Sequence, residues 1–168
     1  MRLTNAKADK GLLVIQKAAA CVVRTGPRGL ELLVFRHPVA GVQIPKGSVK
    51  ADESPDAAAL RELAEESGIA TAHILRKVGC HTIEVGAGPA ETGPLEAQVW
   101  HTFLLVADEE LRYTWSHRVY GSDVEEGLVF DFFWLPIAEA RHACASRYHA
   151  SIDFARAAVA SEATTHSG

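Results

Sequence analysis

Residues 47–69 read GSVKADESPDAAALRELAEESGI. The second half of this stretch is helical by its local chemistry. Ser54 offers an N-cap oxygen, Pro55 suits the first helical turn, and Asp56 meets the positive end of the macrodipole. Gly68 supplies a left-handed stop, so the pattern predicts a helix to about Ser67. At about 100° per residue, Glu62, Glu65 and Glu66 share one face of that helix. Leu60, Leu63, Ala57 and Ala64 occupy the other, which is the face expected to be buried. The acidic face is a poor arrangement for stability. Like charges four residues apart repel, and carboxylates in the last turn oppose the dipole. Arg61 is the only nearby cation. The trio is therefore either a solvated face or a seat for hard divalent cations, which take carboxylate, water and substrate phosphate oxygens.

The spacing around the trio decides between these readings. From Gly47 the chain runs five residues to Glu53, then seven more to Arg61-Glu62-Leu63-Ala64-Glu65-Glu66-Ser67-Gly68-Ile69. This run resembles the Nudix box, complete at every fixed position from Gly47 to Ile69, the aliphatic Leu63 and Ile69 included. The flanking strands and the segment WLPIAEA (134–140) are similar to the family as well, which extends the likeness over Val14–Ser161.

The resemblance implies an α/β fold, the Nudix-type α/β/α sandwich with a mixed central sheet. It implies a Mg²⁺- or Mn²⁺-dependent pyrophosphohydrolase that cleaves a nucleoside diphosphate linked to another moiety. In that reading Glu62, Glu65 and Glu66 hold the metal, with the carbonyl of Lys46 as a further ligand. Glu66, or a carboxylate outside the box, orients or deprotonates the attacking water. Arg61 holds a glutamate in place, Glu53 braces the loop against the helix, and Gly47 lets the backbone turn close to the metals. Elementary chemistry supports these roles. A pyrophosphate repels hydroxide, and bound cations neutralise it, generate hydroxide near neutral pH and stabilise the leaving group.

Working outward, residues 1–11 read as a polar arm, 12–161 as a single domain and 162–168 as a disordered tail. Val14–Arg24 and Glu31–His37 read as a hairpin turned at Gly26, Pro27 and Gly29. Strands are expected over 73–85, 98–107 and 127–135, a flexible loop over Gly86–Gly93, and a loop over 108–126. A helical region is expected from Pro136 to about Ser161, broken near Tyr148. That order predicts helices on both faces of the sheet.

The chain has 168 residues, 48% of them hydrophobic and 23% charged, enough for one globular core. Its net charge of −4 lacks the basic footprint of a duplex-binding protein, which disfavours a nucleic-acid partner and a decapping role. No run reaches the roughly 18 apolar residues of a membrane span, and GLLVIQKAAACVV is interrupted by Gln16 and Lys17. Three unpaired cysteines, Cys21, Cys80 and Cys144, fit a reducing cytoplasm.

Among other residues, Glu126 or its neighbour Glu125 is a candidate general base from a late loop. Lys46 and Arg36 are candidate phosphate contacts. Trp115, in the polar run YTWSHR, is a candidate platform for stacking a base. The segment IPKG before the box is similar to family members that cleave dinucleoside polyphosphates or diphosphoinositol phosphates. Glu84–Ala87 lacks the proline or tyrosine that marks some subfamilies, and Pro89 falls in the loop. A dinucleoside polyphosphate is the leading substrate, then ADP-ribose or another nucleoside diphosphate sugar, then a damaged nucleoside triphosphate. A non-catalytic nucleotide-sensing module is the alternative of another class, and the arm over 1–11 is a candidate surface for a homodimer.

Overall fold

The computed structural model describes residues 12–85 and 96–165. The expected arm over 1–11, the loop over Gly86–Gly93 with Pro89, and the last three residues lie outside the described residues.

β1 (Leu13–Gly26) is the axis of the fold. It runs parallel to β6 (Glu96–Ala107), from Leu13 opposite Glu96 to Val22 opposite Leu105. Its far end turns into β2 (Gly29–His37) as a hairpin, with Gly26 opposite Gly29. Gly29 takes a φ of 93°, which only glycine adopts without strain. β5 (Ala72–Val85), β7 (Thr114–Arg118) and β8 (Val129–Pro136) complete the order β5-β6-β1-β2-β8-β7. One parallel pair among antiparallel ones makes the sheet mixed, as expected.

Alternation along β1 builds two cores. Ala18, Ala20 and Val22 face α1 (Pro55–Ser67), packing with Ala58, Ala59 and Leu63. Ala19, Cys21 and Val23 face the opposite layer, where Ile137 and Ala140 of α2 (Ile137–Ala143) and Ile152 and Ala155 of α3 (His149–Thr165) close the second core. Small alanines at the centre of the middle strand let helices approach from both sides. The late helical region breaks over a short 3-10 turn at Ser146–Tyr148, and α3 runs four residues into the expected tail.

Two expectations are corrected. Residues 108–126 are not all loop, because β7 pairs with β8 along the sheet edge. TWSHR is polar since only Trp115 and His117 turn inward from it, leaving Thr114, Ser116 and Arg118 exposed. The buried face of α1 is also wider than expected. Leu63 is buried and Leu60 packs on the same core, but Glu62, Glu65 and Glu66 are buried as well, with Ala58 and Ala59, whereas Ala57 is exposed.

The feature that positions a site is a split in the sheet. β1 and β2 pair only near their hairpin. Beyond it, Lys17–Ala19 of β1 pairs with β4 (Lys46–Ser48), and Phe35–His37 of β2 pairs with β3 (Gly41–Gln43). The link Ile44-Pro45 therefore threads between the two strands, with the Pro45 carbonyl accepting from Ala20 N–H at 2.9 Å. This sets Lys46 and Gly47 directly beside the acidic face of α1.

Candidate active site

α1 ends where expected. Gly68 takes φ 78° and its N–H returns to the Ala64 carbonyl at 2.9 Å. Ser54 holds the N-cap position through its backbone carbonyl, which accepts from Ala58 N–H, while its side chain interacts with Asp56.

Arg61 organises the acids around it. Its Nε and Nη2 donate to the two carboxylate oxygens of Glu53 at 2.7 and 2.8 Å. Nη1 donates to Glu62 at 2.8 Å and to Glu65 at 3.1 Å, and Nη2 also donates to the Ser48 carbonyl at 2.9 Å. The Arg61 hydrogen bond lowers the Glu53 carboxyl to about 2, and the Lys50 N–H adds to that by donating to Glu53 at 3.1 Å. The planar guanidinium fork is what lets one cation serve three carboxylates and a carbonyl.

Glu66 stands apart. It is 1% exposed, and its one recorded hydrogen bond is from Lys46 N–H at 3.1 Å. Burial raises its carboxyl well above the ordinary value, opposed by Lys46 and reinforced by Glu125 and Glu62. Burial raises Glu62 as well, against the pull of Arg61. Gly47 is required here for space, because a Cβ built on it would overlap the Glu62 carboxylate.

Arg61, Glu62 and Gly47 border a cleft of about 420 Å³ that is also lined by Lys17, Lys46, Lys50 and the loop Gly121–Glu125. Two cleft lysines, Lys17 and Lys50, go beyond the expected set. Lys17, on β1, donates to Ser48 Oγ at 2.8 Å, and burial followed by Lys46 lowers its ammonium. Its signal was present in the sequence, since it is the charge interrupting GLLVIQKAAACVV. Glu125, weighed above with Glu126, also lines the cleft. Tyr120 N–H clips the loop to the Glu65 carbonyl at 3.3 Å, and this carries half-buried Glu125 to within 3.7 Å of His37 Nε2. Glu126 is exposed and turned back on its own loop, accepting from Ser122 N–H at 3.3 Å. Glu126 does not line the cleft.

Arg36 and Trp115 do not join this cleft. They share a separate hollow of about 370 Å³ with Ser116 and Asp131. The Trp115 ring is stacked on Phe132 at 5.1 Å, and its Nε1–H donates to the Ser67 carbonyl at 2.9 Å. One ring face is thus engaged against β8 and the indole N–H against the end of α1. Arg36 is exposed, with its guanidinium 5.8 Å from the Phe133 ring.

The donor set fits a hard divalent cation in its chemistry. Three carboxylates and the Lys46 carbonyl all offer oxygen donors, the Glu62 carboxylate reaches the Gly47 backbone through the space a Cβ would fill, and Glu66 carries a desolvation cost that a cation would offset. Among the described residues no three acidic, histidine or cysteine side chains converge on a single point, because Arg61 draws Glu62 and Glu65 one way and Lys46 N–H draws Glu66 another.

A mixed sheet with helices packed on both faces, split to admit a Lys-Gly strand beside a buried acidic helix face, defines an α/β sandwich. Residues 15–154 match the family model described as NUDIX domain, and the chain belongs to the Nudix hydrolase family. No curated protein matches the chain in sequence. Solved structures similar to it include a C. elegans Ap4A hydrolase in a binary complex, at 18% identity and a TM-score of 0.60, covering 88% of this chain and 98% of that one. The NUDIX domain of Shewanella oneidensis NrtR, complexed with ADP ribose, is 19% identical with a TM-score of 0.57, covering 92% and 93%. The E. coli dihydroneopterin triphosphate pyrophosphohydrolase is 16% identical with a TM-score of 0.55, covering 82% and 92%. At these identities the likeness is one of fold. No described helix is long and apolar enough to cross a membrane.

Proposed function

We propose that the cleft hydrolyses a phosphoanhydride in a nucleoside diphosphate linked to another moiety, with a dinucleoside polyphosphate as the leading substrate. The observation that carries this reading is the meeting of Lys17, Lys46 and Lys50 with Glu62 and Glu125 in one cleft, against the buried carboxyl of Glu66. Cationic groups for phosphate oxygens stand there beside carboxylates that can hold a cation and take a proton.

Glu62, Glu65, Glu66 and the Lys46 carbonyl are the residues to hold Mg²⁺ or Mn²⁺. When bound, such an ion neutralises phosphate charge and acidifies water. The three lysines orient the phosphate chain by its non-bridging oxygens. Glu125 accepts the proton of the attacking water as its oxygen bonds to phosphorus and the bridging phosphorus–oxygen bond breaks. Arg61 keeps Glu53, Glu62 and Glu65 in place and Gly47 leaves room for the Glu62 carboxylate.

Purified protein is assayed with Mg²⁺ and with Mn²⁺ against dinucleoside polyphosphates, ADP-ribose, other nucleoside diphosphate sugars and nucleoside triphosphates. Products formed in ¹⁸O-labelled water locate the broken bond. Glu66→Gln is expected to lower kcat at least about 100-fold with little loss of stability. Near-wild-type turnover of that variant would remove Glu66 from the mechanism. Tight nucleotide binding with no turnover on any substrate would favour a sensing module instead. The reading places the protein in a reducing cytoplasm with a small nucleotide as its partner.

A further inference from the structure

His37, at the end of β2, is 8% exposed and is used by nothing described so far. Its Nδ1 accepts two backbone hydrogen bonds, from Val39 N–H and Ala40 N–H, each at 3.1 Å. An acceptor nitrogen has no proton to spare, so the ring proton resides on Nε2. Nε2 points at the Glu125 carboxylate, 3.7 Å from Oε1. One face of the ring rests against Phe130, with centroids 5.1 Å apart, which limits its rotation. Glu125 in turn lies within electrostatic range of Glu66 from α1, Lys17 from β1 and Tyr148 from the 3-10 turn.

We propose that His37 is the positioning residue for Glu125: the turn at 38–40 locks the imidazole with Nε2–H outward, and that N–H aims the carboxylate at the reacting water. The inference rests on the reading of Glu125 as the base. A loop carboxylate has several rotamers, and only some point into the cleft. A donor fixed by a buried ring selects among them without adding a charge that would compete for the phosphate. At 3.7 Å the two groups are close but beyond hydrogen-bond distance. Such contacts are often long in unliganded sites and tighten in the substrate complex.

The bland alternative is that His37 only caps its turn, and two substitutions separate the two roles. The Oδ1 of His37→Asn stands where Nδ1 stands and can keep the turn, but nothing reaches Glu125. The amide nitrogen of His37→Gln reaches the place of Nε2 and restores a donor. His37→Asn is expected to lower kcat about 10- to 100-fold with KM within about twofold. His37→Gln is expected to recover most of that loss. In a Glu125→Gln background His37→Asn is expected to cost almost nothing further. Equal activity of the Asn and Gln variants, or a full additional loss in the Glu125→Gln background, would overturn the proposal.

A readout independent of turnover is the ¹⁵N spectrum of the His37 ring. It is expected to show the Nε2–H tautomer, with the Nε2 resonance displaced by Glu125→Gln. An Nδ1–H tautomer, or no displacement, refutes the proposal. If Glu66→Gln is inactive while Glu125→Gln turns over normally, the hydrolase reading stands and this inference falls. If the wild type turns over no substrate, the hydrolase reading falls, and the ring spectrum still decides whether His37 holds Glu125.

Discussion

Replacing Arg61 with Met tests the architecture of the acidic face more directly than replacing any one acid. The guanidinium donates to two oxygens of Glu53, one each of Glu62 and Glu65, and the Ser48 carbonyl. The four side chains are only 11–20% exposed, so water cannot take over these bonds freely. Exposed pairs contribute about 0–1 kcal/mol, whereas removing one partner of a buried pair costs about 3–5 kcal/mol. With one cation serving three carboxylates at this exposure, the loss for Arg61→Met is expected at about 3 kcal/mol. For a domain of this size, with a urea m-value of about 2 kcal/mol/M, that lowers the unfolding midpoint by about 1.5 M at unchanged m. Arg61→Lys keeps the charge, but a single ammonium cannot span the fork, and it is expected to recover less than half of the loss. Equilibrium urea unfolding followed by tryptophan fluorescence measures both variants. A midpoint for Arg61→Met within about 0.3 M of wild type would show that the carboxylates do not depend on this cation, and the account of the site would fail.

Four further outcomes are expected. Glu53 titrates near 4.5 in an unfolded chain and near 2 here, so its contribution is complete above about 4.5 and disappears as the pH falls toward 2; the stability gap between wild type and Glu53→Gln in acid titrations should close over that window. Gly47→Ala forces a methyl group into the Glu62 carboxylate, and calorimetry should show a loss of about 1–3 kcal/mol together with lost turnover. Trp115→Ala removes a half-buried ring stacked on Phe132, so it should cost about 2–4 kcal/mol of stability while leaving KM for nucleotide unchanged in steady-state assays. Only exposed Cys80 should react rapidly with Ellman's reagent in the native state, because burial raises Cys21 to about 12 and Cys144 to about 11.

Two kinds of information separate what was legible in the chain from what was not. Local chemistry wrote the helix end at Gly68, the β1–β2 hairpin and the spacing that brings Glu53, Arg61 and the acidic trio together. Each depends on residues within a few positions of one another. The wheel of α1 marked Leu63 for the core but not the acids, because hydrophobicity ranks leucine above glutamate. The sheet supplies a lysine-lined cleft and backbone donors that make burial of acids tolerable on one side only. β7 escaped the same logic: an edge strand with three of five side chains in water has a polar composition and reads as loop.

The choice between Glu125 and Glu126 shows where local reading stops altogether. The two acids are adjacent and chemically identical. Their difference is made by contacts distant in sequence: Tyr120 N–H on the Glu65 carbonyl, Gly121 at φ 75° against the Glu65 side chain, and Gly127 at φ 81° returning the chain with its N–H on the Val119 carbonyl. These fasten both ends of the loop, so which of Glu125 and Glu126 turns inward is decided by where α1 ends and β8 begins. A loop anchored to the same helix that carries the carboxylate trio moves with that helix. Lengthening it by one glycine between Gly121 and Glu125 leaves every box residue in place but uncouples Glu125 from His37. Such an insertion is therefore expected to lower kcat about as far as His37→Asn does, with unfolding by urea shifted far less than in Arg61→Met; full activity of the lengthened loop would mean that the base is not drawn from it at all.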